Sequence, residues 1–278
     1  MKNILKIMLM MITIYTIAGS AVYAAEIPVS DQDQLITSND WTEISNLQDE
    51  MKKEEPDATI DYDKALKVYV DCNLIKLQTA DTKKLTSALE SANYVWVIPF
   101  KMEKTYGMFT VAKGLPLREE AKSVLTKAEQ EEVKNHAGKW MITEIAEHTV
   151  EPYYDILLEK REALSDCTRV VLVGSQPGMR QPVALGMDDE TARIWISLGY
   201  QYPVMEKIPE TQNVESGVYS FESVADISDT YIEDSEVSTG AGVQSRSSMK
   251  YVAGIGIIVI GSILIFSVLK KKKLEDYE

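Results

Sequence analysis

Two histidines and two cysteines in a chain of 278 residues leave little room for the commonest catalytic and metal-binding chemistries. His136 and His148 do not form a His-Glu-x-x-His zinc motif. In "EIAEH" the order of Glu144, Glu147 and His148 is wrong, and the stretch falls in a predicted strand whose solvated end explains it. No nucleophile elbow surrounds Ser175 in "VLVGSQPG": Gly174 directly precedes the serine, and Pro177 stands where the second glycine belongs. A turn after a strand accounts for Gly174, Ser175, Pro177 and Gly178. Two lone cysteines do not make a zinc site. No glycine-rich phosphate loop is present, since "GAGVQS" has no strand before it. Asp188, Asp189, Glu190 and Thr191 lack calcium-loop spacing and read as a hairpin turn. The expectation is a chain with no cofactor, no metal and no catalytic signature.

Basic residues are also short, 29 Lys and Arg against 43 Asp and Glu. Counted over residues 25–250 alone, the charge is about −17. Such a surface excludes nucleic acid and anionic lipid as partners, and it keeps a domain soluble. Aromatics make up 8% of the chain, a modest supply for a carbohydrate enzyme. Carboxylate-pair hydrolysis is still the alternative function, because acidic residues are abundant and their pairing in space is invisible in a sequence. There is no Asn-x-Ser/Thr acceptor. With sparse cysteine, that points to the envelope of a single-membrane bacterium.

Two long apolar runs are present, one at each end. Residues 1–24 have a basic start at Lys2 and Lys6, an apolar stretch from Ile7 to Ala18, and a small-residue exit. Val22 and Ala24 suit the −3 and −1 positions of a signal-peptidase site, which places cleavage between Ala24 and Ala25. Residues 251–269 contain no charged side chain and would form a helix of about 28 Å, close to the ~30 Å hydrocarbon core of a bilayer. Lys270, Lys271, Lys272 and Lys273 follow as a stop-transfer cluster and hold the tail 270–278 in the cytoplasm. The predicted protein is single-pass in the cell membrane, with its N-terminal domain outside. Gly254 and Gly261 lie one heptad apart on the span, without a strict small-x-x-x-small pair. No sorting signal for wall attachment precedes the span; "IPETQ" at 208–212 lacks the glycine.

Cys72 in "VDCN" and Cys167 in "SDCT" both fall in the exported region, where an even pair can oxidise. They are the disulfide candidate; two separate buried thiols are the alternative.

Between the apolar runs, residues 25–57 form a polar segment with one short helix. Asp40 and Glu43 suggest a capping box, and Trp41, Ile44, Leu47 and Met51 make an apolar stripe. Residues 58–209 alternate strand and helix signals. "LKVYVDCN", "NYVWVIPFKM", "GMFTVAKG", "KWMITEIAE", "TRVVLVG", "QPVALGM" and "ARIWISLG" read as strands. "DTKKLTSALESAN", "REEAKSVL", "KAEQEEVKNHAG" and "EPYYDILLEKREAL" read as helices, with Thr126 and Glu129 as a cap. Hairpins outnumber strand–helix–strand units, so the fold class is α+β with a mixed or mostly antiparallel sheet, plus one C-terminal transmembrane helix. A strand–helix–paired-strand order recurs at 66–112 and 139–198 with little residue identity. From 210 to 250 the chain turns acidic and rich in Ser, Thr and Gly, which predicts a disordered stalk; Tyr219, Phe221 and Tyr231 could nucleate a short ordered piece within it. This layout predicts a membrane-anchored extracytoplasmic binding or accessory protein. Its partner would be another membrane protein or a cell-wall ligand, and a structural spacer or sensor is a third class.

Overall fold

The computed structural model describes residues 27–148, 151–174, 176, 179, 181–199, 204–208 and 213–227. Ten strands form one sheet: β1 (Thr59–Ile60), β2 (Leu66–Tyr69), β3 (Tyr94–Lys101), β4 (Tyr106–Lys113), β5 (Trp140–His148), β6 (Arg169–Val173), β7 (Val183–Met187), β8 (Ala192–Ser197), β9 (Asn213–Glu215) and β10 (Val218–Ser220). Their spatial order is β5-β4-β3-β2-β6-β7-β8-β10-β9, with β1 beside β3 past the end of β2. All these pairings are antiparallel except β2 with β6. Two antiparallel meanders are therefore joined at one parallel seam. The α+β class and the mostly antiparallel, mixed sheet agree with the strand and hairpin signals in the sequence.

Both faces of the sheet are covered. Strand side chains alternate between faces. One set, with Leu66, Val68, Val97, Val170, Leu172 and Ile196, packs with Tyr153 and Leu157 of the helix Tyr153–Glu159. The other face carries two clusters. Tyr69, Val171, Val173, Leu185 and Trp195 pack under Leu85 and Leu89 of the helix Thr82–Glu90. Trp96, Ile98, Phe100, Phe109 and Val111 pack under Ile44 and Met51, from the helical segments Trp41–Ile44 and Gln48–Glu54.

Local sequence signals placed most of these elements. Asp81 caps its helix by accepting the N–H groups of Lys83 and Lys84. Thr126 and Glu129 form the expected capping box on the helix Lys127–His136, and Gly138 follows it at φ +75°. Cross-strand partner Phe100 lies over Gly107, where a Cβ would come within 2.1 Å of the ring, so only glycine fits.

The apolar stripe of the N-terminal segment packs against the sheet, with Ile44 and Met51 fully buried beside Leu35. One expectation differs from the structure. The fold runs past residue 209. β9, β10 and a helix at 221–227 close the β8 edge, with Val218, Phe221 and Val224 in the core and Phe221 stacked on Trp195 at 5.5 Å. The acidic composition there reflects exposed side chains such as Glu222 and Asp226, while Phe221 and Val224 join the Trp195 cluster and Val218 the Leu157 cluster on the opposite face. The recurring element order, faint in residue identity, has no spatial counterpart: β2 pairs with β3 directly after its helix, whereas β5 lies at the sheet edge beside β4. The leader 1–24, the run 251–269 and the tail 270–278 lie outside the described residues; among the described residues no helix is long and apolar enough to cross a membrane.

Phe221→Ala is expected to lower the unfolding free energy by about 3 kcal/mol or more, and Glu222→Ala by less than about 0.5 kcal/mol. Urea denaturation of the purified protein measures both. Equal and negligible effects would mean that 213–227 is not part of the fold.

Candidate functional site

The only charged side chains buried among the described residues, Asp33 and Lys67, meet each other at the parallel seam. Asp33 arrives on the N-terminal segment. Ile27 and Val29 pack with the Leu157 cluster on one face of the sheet, and Leu35 packs with the Trp96 cluster on the other. Between them the chain crosses the sheet. It fills the space beneath the short β2, with the Val170 N–H donating to the Pro28 carbonyl at 2.8 Å and the Leu35 N–H to the Ala65 carbonyl at 3.1 Å. A 3₁₀ turn at Asp31–Asp33 then directs the Asp33 side chain into the core.

Three hydrogen-bond donors and one ammonium group converge on that carboxylate. Tyr69 Oη donates to Oδ1 at 2.7 Å, and Lys67 Nζ lies 3.6 Å from the same oxygen. Ser30 Oγ donates to Oδ2 at 2.7 Å and Arg169 Nη2 at 3.1 Å. Three hydrogen bonds and one ion pair thus enclose the carboxylate. Lys67 is caged by three rings, its ammonium 4.6 Å from the Tyr94 centroid, 5.2 Å from Trp96 and 5.7 Å from Tyr69. Asp40 fixes the cage, accepting from Tyr94 Oη at 2.8 Å and from Trp96 Nε1 at 3.0 Å. Burial, reinforced by Asp33, drives the Tyr69 hydroxyl well above the ordinary phenol range; burial and the bond to Asp40 do the same for Tyr94. Both phenols hold their protons and act as donors.

This arrangement is turned inward on its own chain. Its acid accepts from its own chain on every side, and its amine faces that acid and three rings. What it can do is hold the N-terminal segment to β2 and β6 at once. It also sits where the Trp195 and Trp96 clusters meet, since Tyr94 packs against both.

Sequence reasoning missed this centre and misassigned Asp40. Asp40 does not cap the helix it precedes; it has helical backbone angles and gives its carboxylate to the sheet. A carboxylate three residues before Glu43 looks the same in sequence whichever partner it finds. The available signal was Lys67, a cation between Leu66 and Val68 in a strand that turns out to be buried on both faces.

The sequence-derived candidates fall elsewhere. Cys72 and Cys167 are free thiols, both buried, and belong to clusters on opposite faces of the sheet. Cys167 packs so closely on Gly186 that a Cβ there would come within 2.8 Å of its sulfur. Burial pushes each thiol up to about 11. Glu144 and Glu147, three residues apart on β5, point to opposite faces. Among the described residues no group of three His, Cys, Asp or Glu side chains could hold a metal. Asp188 organises the β7–β8 hairpin as expected: its Oδ1 accepts from the Thr191 and Glu190 N–H groups at 2.6 and 2.8 Å, and Arg193 lies at Oδ2. These bonds hold its carboxyl down at about 2. Gln176, buried after β6, donates to the Cys72 and Gly174 carbonyls and accepts from the Leu74 N–H. Ser175, Pro177, Gly178, Ala24, Ala25 and Lys270–Lys273 lie outside the described residues.

Comparison with protein-family models, curated proteins and solved structures gives no match.

Asp33→Ala leaves the Lys67 and Arg169 charges without their carboxylate and is expected to cost about 3–5 kcal/mol; Asp31→Ala, on the exposed side of the same turn, is expected to cost less than about 0.5 kcal/mol. Equilibrium denaturation of both variants checks the difference. A second outcome concerns the thiols. At pH 8 both lie below their pKa of about 11 and are protonated and buried, so native protein should resist iodoacetamide while denatured protein takes up two labels. Labelling at either site in native protein would contradict the placement.

Proposed function

We propose that this protein is a membrane-anchored extracytoplasmic binding or accessory protein of a bacterial envelope, tethered by residues 251–269 with its domain outside and its lysine-rich tail in the cytoplasm. The observation that carries the non-enzymatic reading is that the buried charges of the described domain are spent on each other. Asp33, 2% exposed, accepts from Tyr69, Ser30 and Arg169 and pairs with Lys67, so its partners all come from its own chain. An enzyme built on carboxylates keeps at least one such group facing a cleft. The acidic surface favours a protein or cationic partner over polyanions.

Beyond Ile227 the chain has about twenty residues before the apolar run, acidic and then Ser- and Gly-rich, and an extended segment of that kind would hold the domain away from the bilayer.

Co-purification from native membranes in mild detergent tests the reading, comparing the full-length chain with a form ending at Ile227. A stoichiometric membrane partner is expected to follow the full-length form. Both forms coming down alone, with the purified domain releasing soluble fragments from cell-wall material, would replace binding with hydrolysis.

A further inference from the structure

The two edges of the sheet differ in what they offer another molecule. β9, at one end, has three residues, whereas β5, at the other, has nine and no proline. Among the described residues β5 pairs with β4 alone. Alternate residues of an antiparallel strand turn their N–H and C=O groups away from the partner, so the outer edge of β5 presents a row of unpaired backbone donors and acceptors. The register skips Thr143 and is regular from Glu144 to His148.

The side chains along this edge are suited to a neighbour. Ile142 and Ile145 pack, partly buried, at the rim of the Trp96 cluster, and Met141 and Ala146 are half-buried. A strand laid beside β5 would cover these groups and extend the sheet. Between Trp140 and Glu147 the strand has only two charged side chains, Glu144 and Glu147, both acidic and exposed. They lie on opposite faces of the sheet, so an added strand meets one carboxylate on each side.

Charge decides the occupant. Antiparallel pairing of two copies of β5 about Glu144 would set like charges directly opposite each other, which is unfavourable. The chain's own segment 228–245 is excluded on the same ground, since it carries Asp229, Glu233, Asp234 and Glu236 and no basic residue. A basic segment has the complementary sign. In an extended chain, positions three apart fall on opposite faces, whereas in a helix they share one. Two cations three apart in a strand therefore reach both glutamates.

We propose that the outer edge of β5 binds an extended basic segment of a partner protein as an added strand, with cations three positions apart set against Glu144 and Glu147. Backbone bonds supply the attachment, and the two glutamates select the sign of the partner's charge. This rests on the reading of the chain as a binding protein and names its surface.

The test titrates full-length protein in neutral detergent with a labelled peptide of about ten residues, rich in Val and Thr, with two lysines three apart. Fluorescence anisotropy reads affinity, and hydrogen exchange reads protection of residues 140–148. The peptide is expected to bind and to protect 140–148. Replacing its lysines by glutamates should weaken binding about tenfold or more, and N-methylation of alternate amides, which keeps the charges, should abolish it. Combined Glu144→Gln and Glu147→Gln should also weaken it about tenfold. The control, Glu131→Gln with Glu132→Gln on the exposed helix Lys127–His136, removes the same charge and should change affinity by less than about twofold. Absence of binding, protection elsewhere, or equal binding of the N-methylated peptide would overturn the proposal. So would a dimer that protects 140–148 without peptide, because a second copy would then occupy the edge. If the peptide fails while a partner still co-purifies with the full-length chain, this surface is wrong and the binding reading stands. If the peptide binds as expected while no partner co-purifies, the strand site stands and the accessory reading falls.

Discussion

Removing the carboxylate of Asp33 from water is the constraint on which the rest of the structure depends. A buried charge is tolerated only when its partners are complete, and breaking such a set costs far more than an exposed pair contributes. The partners come from the same turn, Ser30, and from two distant parts of the chain, Lys67 and Tyr69 of β2 and Arg169 at the start of β6. Satisfying one carboxylate thus fixes the N-terminal segment, the parallel seam and the register of β2 against β6 together. Lys67 extends the effect outward, because its ring cage draws in Tyr94 and Trp96 of β3, and those rings draw in Asp40. Between two apolar clusters that could slide past one another, directional polar contacts select one arrangement.

That use of charge also bears on function. The interior resembles a lock more than a workshop: the phenols are held protonated and the thiols sit apart in separate clusters. The edge strands are handled accordingly. β5 carries a register irregularity and the exposed Glu144 and Glu147, features that discourage uncontrolled pairing of sheets.

The sequence made the strands and their hairpins legible because alternation and turn residues are local. "NYVWVIPFKM" and "GMFTVAKG" pair as the spacing implied, and the Asp188 turn joins β7 to β8. The helix caps at Asp81 and Thr126 were equally local. What escaped were partnerships across long stretches of chain. Asp33 finds Arg169, and Asp40 finds Tyr94, through the fold and not through spacing. The region after 209 misled for a different reason: its composition describes the solvent side of the helix at 221–227, while Val218, Phe221 and Val224, too few to shift the average, decide its fate. The cysteines match in local setting, yet they end on opposite faces of a sheet.

Hydrogen exchange of native protein at two amides tests the role of the Asp33 centre most directly. The Val170 N–H, bonded to Pro28, and the Leu35 N–H, bonded to Ala65, report whether the N-terminal segment is seated. If that segment is integral, both should exchange as slowly as the interior amide of Leu172, through global unfolding alone. In Asp33→Asn the two should exchange much faster while Leu172 remains protected. Fast exchange of Val170 and Leu35 in the unaltered protein would show the segment lifting off freely, and the Asp33 centre would then be an ornament of the fold and not its fastening.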